Sequence, residues 1–138
     1  MTSRHRARAR ALQALYAWEA QGHPGDVERV AAEIAGDDPF ARALVRAVAE
    51  HRDEIDRRIA EAATNWRIER MAAVDRNVLR LAIAEMLYLR DAPGPVCIHE
   101  AIRLAERFGT EASPRFVNGV LDAILRSLRA EAGSPGEG

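Results

Sequence analysis

The segment from Phe108 to Asp122, FGTEASPRFVNGVLD, joins the end of one predicted helix to the start of the next. Gly109 follows an apolar stripe with i, i+3, i+4 and i+7 spacing, which is typical of a helix that ends at glycine. Ser113-Pro114 then provides a helix start, because proline is favoured in the first turn. Phe116 fits a core position, whereas Phe108 fits either the core or an exposed platform beside the loop. The segment therefore predicts two helices joined by a short polar loop, and it points to binding rather than catalysis.

Apolar residues recur at helical spacing along the first half of the chain, and three helices are expected there. The first runs from about residue 4 to residue 21. Asp26 can cap the second helix, which ends at Gly36. Asp38-Pro39 is typical of the start of a third helix, which continues to about residue 63.

The second half of the chain also has apolar residues at helical spacing. Residues 65–71 form a junction or a short helix of their own, and Asp75 can cap a central helix that is apolar over more than one face. Two prolines and a glycine in residues 91–95 end that helix. The helices on either side of the 109–113 loop follow, and residues 132–138 form a disordered tail. No segment has the period of a strand, so the sequence predicts an all-α fold.

Composition and charge exclude several classes of protein. The 138 residues are 48% hydrophobic and 30% charged, with a net charge of -1, which suits a helical globular domain. The single cysteine permits no internal disulfide, and no apolar run approaches the ~20 residues of a membrane span. We therefore expect a cytoplasmic protein that is not held in a membrane.

Four arginines at alternate positions make the N-terminal helix strongly basic. These residues, the predicted Arg collar, are Arg4, Arg6, Arg8 and Arg10. Guanidinium groups bind phosphates through a planar fork of donors, so the collar fits nucleic acid, although an ordinary solvated helix terminus has the same pattern. Gln13 and Tyr16 continue along this helix. Tyr16 either stacks on an unpaired base or lies half-buried in the core.

The loop at 109–113 and the helix after it offer an anion site. The free N–H groups and the positive end of the helix dipole attract phosphate there, and Arg115 adds charge. Glu111 can accept hydrogen bonds from base amino groups, whereas Asn118 can cap the helix or tie down the loop. On the central helix, a mixed-charge stripe that includes Asp75 and Arg80 is either a solvated face or a site for a protein partner.

The sequence contains no catalytic constellation. Its four histidines are scattered without metal-ligand spacing, and Cys97 has no plausible partner for nucleophilic catalysis. Neither a glycine-rich phosphate loop nor a G-x-S-x-G elbow occurs. We therefore expect a binding protein rather than an enzyme, with no cofactor and no metal.

Four segments together resemble the NusB family of bacterial transcription antitermination factors. They are the Arg-rich start that leads into ALQALY at 11–16, VDRNVLRLAI at 74–83, EAIRLA at 100–105 and the segment from Phe108 to Asp122. The run FVNGVLD at 116–122 is highly specific. The same fold begins a family of ribosomal RNA cytosine methyltransferases, but the chain ends where their catalytic domain would start, so it resembles the free-standing factor.

The resemblance implies a single RNA-binding domain, residues 1–131, made of two small helical bundles at about 1–64 and 65–131. It implies binding of boxA, a short single-stranded element of nascent ribosomal RNA transcripts. The implied protein partners are NusE, a ribosomal small-subunit protein, and the RNA polymerase elongation complex with other Nus factors. By position, the residues on the RNA side are Arg4, Arg6, Arg8, Arg10, Gln13, Tyr16, Phe108, Glu111, Ser113 and Arg115. The residues toward NusE are Glu69, Asp75, Arg76, Arg80 and Glu85.

Two positions depart from the family pattern. Ala112 stands where members often carry an acidic residue, which removes a carboxylate acceptor beside the expected RNA. His99 stands where many carry asparagine, a change that bears on helix capping. Three other hypotheses remain open: a helical protein scaffold with incidental RNA contact, an RNA-modifying enzyme or its fragment, and a homodimer that covers the RNA side.

Overall fold

The computed structural model describes residues 3–22 and 27–133, and within these ranges it contains seven α-helices and no strand. The helices are α1 (Ser3–Ala20), α2 (Val27–Ala35), α3 (Pro39–Glu50), α4 (Arg52–Ala62), α5 (Ala73–Ala84), α6 (Gly94–Phe108) and α7 (Ser113–Ala132). The predicted all-α fold is confirmed. No helix in the described ranges is long and apolar enough to cross a lipid bilayer. The predicted cap Asp26 and most of the predicted tail lie outside the described residues.

The start of α3 follows the prediction from its sequence. The Asp38 carboxylate accepts hydrogen bonds from the backbone N–H groups of Phe40 at 3.0 Å and Ala41 at 3.2 Å. Pro39 lies in the first turn, where its missing N–H costs nothing. The aspartate–proline pair therefore caps this helix as expected.

The predicted continuation of that helix to residue 63 is wrong, because the backbone leaves helical geometry at His51 (φ -118°, ψ 22°). The His51 ring stacks on Tyr88 with 3.7 Å between ring centroids, a contact that stabilises the break. Val48 and Ile55 are both buried and seven residues apart, so the apolar period continues through the break. The sequence pattern therefore does not reveal that the helix is interrupted. The described residues of the first half consequently form four helices rather than three.

Helix α5 is the centre of the fold and contacts α1, α3, α4, α6 and α7. All its side chains from Asn77 to Ala84 are buried, as the apolar pattern predicted. The predicted cap is wrong, because the helix begins before Asp75 and this residue lies in the first turn. Its carboxylate still faces the positive end of the helix dipole, which favours a negative charge.

The chain leaves α5 through one turn of π-helix, Glu85–Leu89, and Arg90 in the left-handed region (φ 55°) ends it. Helix α6 then begins at Gly94 with Pro95 in its first turn, which confirms the predicted break. One apolar core includes side chains from all seven helices. The division into two bundles near residue 64 stays a prediction.

A close approach between α6 and α7 requires glycine at position 109. The Gly109 N–H donates to the carbonyl of Ala105 at 2.9 Å, as expected for the end of the helix. A Cβ at this position would overlap the Ser113 side chain and lie 2.8 Å from the Ala105 carbonyl oxygen. The Ser113 hydroxyl accepts a hydrogen bond from the Thr110 N–H at 2.9 Å. The loop is therefore short and firmly held.

Candidate nucleic-acid interface

The fold brings four of the predicted site residues together around one groove of about 200 Å³. We call it the aromatic groove. It lies between α1, the start of α5 and the α6–α7 loop, and its lining residues are Tyr16, Ala72, Ala73, Val74, Asp75, Phe108, Gly109, Thr110 and Ser113. Of the predicted residues, Tyr16, Asp75, Phe108 and Ser113 belong to it. Residues far apart in the chain thus form one surface that could hold a planar ligand.

The two aromatic side chains of the groove differ in exposure. Tyr16 is 49% exposed, so about half of the residue is open to a ligand. Phe108 is half-buried and packs against the core. Its exposure is intermediate between the two alternatives that the sequence left open, a core residue and an exposed platform beside the loop. The guanidinium of Arg107 lies 4.8 Å from the centre of the Phe108 ring. Aromatic rings at a protein surface can stack on unpaired bases.

Asp75 supplies the polar group of the groove. Its Oδ1 atom is buried and has no hydrogen-bond partner among the described residues. A buried acceptor without a partner is costly, so such an atom favours a ligand that donates a hydrogen bond. The amino groups of adenine, cytosine and guanine are donors of this kind. The groove therefore combines stacking surfaces with an acceptor for a base edge.

The structure places only three of the four collar arginines at the surface. Arg4, Arg6 and Arg10 are exposed, whereas Arg8 is buried. The Arg4 guanidinium lies 3.9 Å from the centre of the Phe40 ring and forms an ion pair with Asp91. The exposed arginines therefore form a basic surface on α1.

The expectation that Arg8 is part of an exposed collar is wrong. Its Nε and Nη2 atoms donate to the two carboxylate oxygens of Glu85 at 2.8 and 2.6 Å, and Nη1 lies 3.5 Å from Glu100. Burial lowers the pKa of Arg8, but the hydrogen bond and charge of Glu85 outweigh it and raise that pKa. Arg8 lies four residues before Leu12 on the face of α1 that packs on the core, so its head group needs an internal partner.

The predicted mixed-charge face of α5 is also mostly internal. Arg80 is buried, and its guanidinium donates to Glu19 at 2.7 Å and to Asp56 at 2.8 and 3.0 Å. Arg76 donates to Glu19 at 2.8 Å and to the carbonyl of Met71 at 2.7 Å. These arginines tie α5 to α1 and α4, and the reading of a solvated face is wrong for them.

Glu19 is the residue of this network whose role the sequence did not reveal. Burial raises the pKa of Glu19, but hydrogen bonds and charges from Arg76 and Arg80 outweigh that effect and lower the pKa to about 2. The carboxylate is therefore ionised at neutral pH and holds two arginines of α5. Its only signal in the sequence is that it is the first acidic residue of α1.

This chain is similar to known proteins over most of its length. The model of the NusB family matches residues 5–126. The chain belongs to the NusB family. The transcription antitermination protein NusB of Solibacter usitatus is 47% identical over 135 residues, covering 93% of this chain and 92% of the relative. That of Anaeromyxobacter dehalogenans is 47% identical over 138 residues, covering 93% and 94%.

Solved structures of NusB proteins have the same fold. T. maritima NusB superposes with a TM-score of 0.81 at 39% identity and covers 99% of this chain and 96% of its own. NusB in a complex of the antitermination factors NusB and NusE with dsRNA superposes with a TM-score of 0.76 at 30% identity, covering 91% and 99%. The match therefore extends over nearly the whole chain.

Most of the other predicted site residues outside the ion-pair network are exposed. Gln13, Glu111 and Arg115 are exposed. Ala112 is exposed and precedes the first residue of α7, so its methyl group leaves that helix without a side-chain cap. Glu69 is exposed and forms an ion pair with Arg67 at 3.1 Å. The Ser113 hydroxyl, in contrast, is buried within its own loop.

Two further observations concern groups outside the groove. Burial raises the pKa of the Cys97 thiol to about 12, so the thiol stays protonated at neutral pH. Within residues 3–22 and 27–133, no group of three His, Cys, Asp or Glu side chains could hold a metal ion.

Proposed function

We propose that this NusB family member is a transcription antitermination factor that binds boxA-type single-stranded RNA together with NusE. The RNA–protein complex then joins the RNA polymerase elongation complex with other Nus factors in the bacterial cytoplasm. Family membership and the two surfaces described above, the aromatic groove and the exposed arginines, support this function. The chain acts by binding, and no residue of the groove has a catalytic task.

The observation that carries the proposal is the Asp75 Oδ1 atom, which has no hydrogen-bond partner among the described residues and belongs to a groove that Tyr16 and Phe108 also line. An unpaired base can stack on an aromatic ring while its amino group donates to Oδ1. A paired base offers neither an exposed face nor a free Watson–Crick edge. The groove therefore favours single-stranded RNA over a duplex.

Phosphate binding falls to the exposed arginines of α1 and α7. Arg4, Arg6 and Arg10 on α1 and Arg115 on α7 can each neutralise a phosphate, and the N–H groups at the start of α7 add an anion site. Four contacts to single-stranded RNA correspond to a slope of about -2.8 in log K against log salt. Arg8 is replaced in this set by Arg115, because Arg8 is bound internally.

The NusE-facing residues divide into two groups in this proposal. Glu69 is exposed and Asp75 lines the groove, so both can contact the partner or the RNA edge directly. The second group forms internal ion pairs that hold α5 in place beneath the surface, and its members are Arg76, Arg80 and Glu85. We expect substitutions in the second group to act mainly through the position of α5.

The test is equilibrium binding of fluorescently labelled boxA RNA and a scrambled RNA, with and without NusE, measured by anisotropy. Tyr16→Ala should weaken boxA binding about fivefold or more, and Tyr16→Phe should retain most of it, because the ring supplies the stacking energy. Arg57→Ala is the control, since this exposed arginine lies on α4 and pairs with Glu54.

The proposal fails if the wild-type chain with NusE shows no preference for boxA over the scrambled RNA. The scaffold hypothesis gains support under a different result. In that case Tyr16→Ala leaves RNA affinity unchanged, while Asp75→Ala abolishes capture of NusE.

A further inference from the structure

Trp66 is a large apolar side chain that the aromatic groove does not include. It is 58% exposed, more than any other large hydrophobic residue of the described ranges. Its ring meets the Phe116 ring edge to face, with 5.7 Å between centroids and an interplanar angle of 75°. Packing on Phe116 positions the indole without covering it. Filling the core therefore does not explain why a tryptophan stands at this exposed position.

The backbone that carries Trp66 is held in place. The Trp66 N–H donates to the carbonyl of Ala63 at 3.0 Å, and the next residues form a 3-10 turn, Ile68–Arg70. Arg76 fixes this turn by donating to the carbonyls of Ile68 at 3.1 Å and Met71 at 2.7 Å. The indole is therefore presented by a rigid segment, which lowers the entropic cost of binding a ligand.

The charged residues next in sequence to Trp66 and to Phe116 are mostly basic. Arg67 and Arg70 belong to the same segment, and Arg115 is the chain neighbour of Phe116. Arg70 and Arg115 are exposed and have no ion-pair partner within residues 3–22 and 27–133. Glu69 is the acidic residue of the segment, and Arg67 pairs with it. An exposed ring flanked by arginines matches the chemistry of an unpaired nucleotide.

Two short chain segments connect the Trp66 site to the aromatic groove. Phe116 lies one helical turn after Ser113, which lines the groove. On the other side, Met71 joins the 3-10 turn to Ala72, another lining residue.

We propose that Trp66 is a second stacking platform, which binds an unpaired base of the RNA beyond the bases held in the aromatic groove. This inference rests on the proposed function, because it extends the same RNA path. Arg70 and Arg115 contact the phosphates on either side of the stacked base. The RNA footprint of the chain therefore reaches from α1 across the groove to the segment between α4 and α5.

The experiment combines RNA affinity with tryptophan fluorescence, in the presence of NusE. The chain has two tryptophans, and Trp18 is buried, so quenching of the exposed indole reports on Trp66. Wild type, Trp66→Ala and Trp66→Phe are titrated with boxA RNA alone and with boxA RNA extended on either side. Val96→Ala is the matched control, because Val96 is also an exposed apolar residue (44%) but lies at the opposite end of α6 from Phe108.

The expected result has three parts. RNA extended on one side quenches wild-type emission more than boxA alone does, and Trp66→Phe largely loses the quenching. Trp66→Ala weakens binding of that RNA about fivefold or more, whereas Trp66→Phe retains most of the affinity. Val96→Ala binds like the wild type. Circular dichroism of each variant confirms that the helices are intact.

Other results overturn the inference. If the wild type prefers boxA but no RNA quenches Trp66 and Trp66→Ala binds like the wild type, the proposed function stands and the second platform is refuted. If NusE alone quenches Trp66 and Trp66→Ala loses NusE affinity rather than RNA affinity, the indole is a protein contact and the inference is wrong. If the wild type with NusE shows no preference for boxA, the proposed function and this inference fall together.

Discussion

Replacing Glu19 with glutamine should destabilise the fold by an amount that depends on pH. The Glu19 side chain is 17% exposed and holds both Arg76 and Arg80. Its pKa lies at about 2 in the folded chain against an ordinary value of 4.5. At about 1.36 kcal/mol for each pKa unit, this difference corresponds to about 3.4 kcal/mol at neutral pH. Solvent screening of the partly exposed carboxylate reduces the expected loss to roughly 2–3 kcal/mol.

The sign of the pH effect follows from the lowered pKa. The unfolded chain binds a proton at Glu19 more readily than the folded chain, so the stabilisation is fully present above about pH 5. It is lost as the pH falls through 4.5 toward the folded value of about 2. At about pH 3.5, roughly 60% of it should remain. The gap between wild type and Glu19→Gln should therefore narrow in acid.

Urea denaturation followed by circular dichroism at about pH 7 and about pH 3.5 measures this gap. Asp122→Asn is the control, because Asp122 forms an exposed ion pair with Arg126 four residues later on α7. Such pairs contribute about 0.5 kcal/mol or less. The reasoning is refuted if Glu19→Gln loses no more stability than Asp122→Asn, or if its loss is the same at both pH values.

Three further predictions concern the core, the RNA surface and the α6–α7 loop. Arg8→Ala leaves Glu85 buried without its partner and should lower the free energy of unfolding by about 3–5 kcal/mol in urea denaturation. Arg8→Met combined with Glu85→Leu should recover most of that free energy. A small loss in Arg8→Ala would contradict the importance of the buried pair. Arg6→Ala should change the slope of log K against log salt from about -2.8 to about -2.1 in boxA titrations, and an unchanged slope would remove Arg6 from the phosphate contacts. Gly109→Ala should lower the free energy of unfolding by about 1–3 kcal/mol, because its Cβ would lie 2.8 Å from the Ala105 carbonyl oxygen. Gly119→Ala should raise it by about 0.5–1 kcal/mol, since a Cβ there meets nothing within 4 Å on α7; the reverse order in thermal melts would refute the packing argument.

Local signals in the sequence predicted the features that depend on neighbouring residues. Asp38 caps α3 through N–H groups two and three residues later, and Gly109 ends α6 through a carbonyl four residues earlier. Such contacts leave a pattern within a short window. The break at His51 left none, because its ring finds Tyr88 on a distant element while the apolar period continues unbroken.

Exposure of individual charges could not be predicted in the same way. Arg8 alternates with Arg6 and Arg10 in sequence, yet its partner Glu85 lies 77 residues away. Arg80 looks like an ordinary surface arginine of a helix, and its carboxylate partners, Glu19 and Asp56, belong to two other helices. The family resemblance placed these positions near the site, but only the packed helices distinguish a side chain that faces a ligand from one that supports it.

The internal ion pairs and the aromatic groove belong to one arrangement. Tyr16 and Glu19 lie one turn apart on α1, while Asp75 and Arg76 are adjacent in α5. The ion pair from Arg76 to Glu19 therefore joins the two helix segments that carry Tyr16 and Asp75, both of which line the groove. Arg80 also pairs with Glu19, so the charges that stabilise the centre of the fold hold these two segments together. A binding surface built from two helices needs such a fixed spacing to distinguish one base from another.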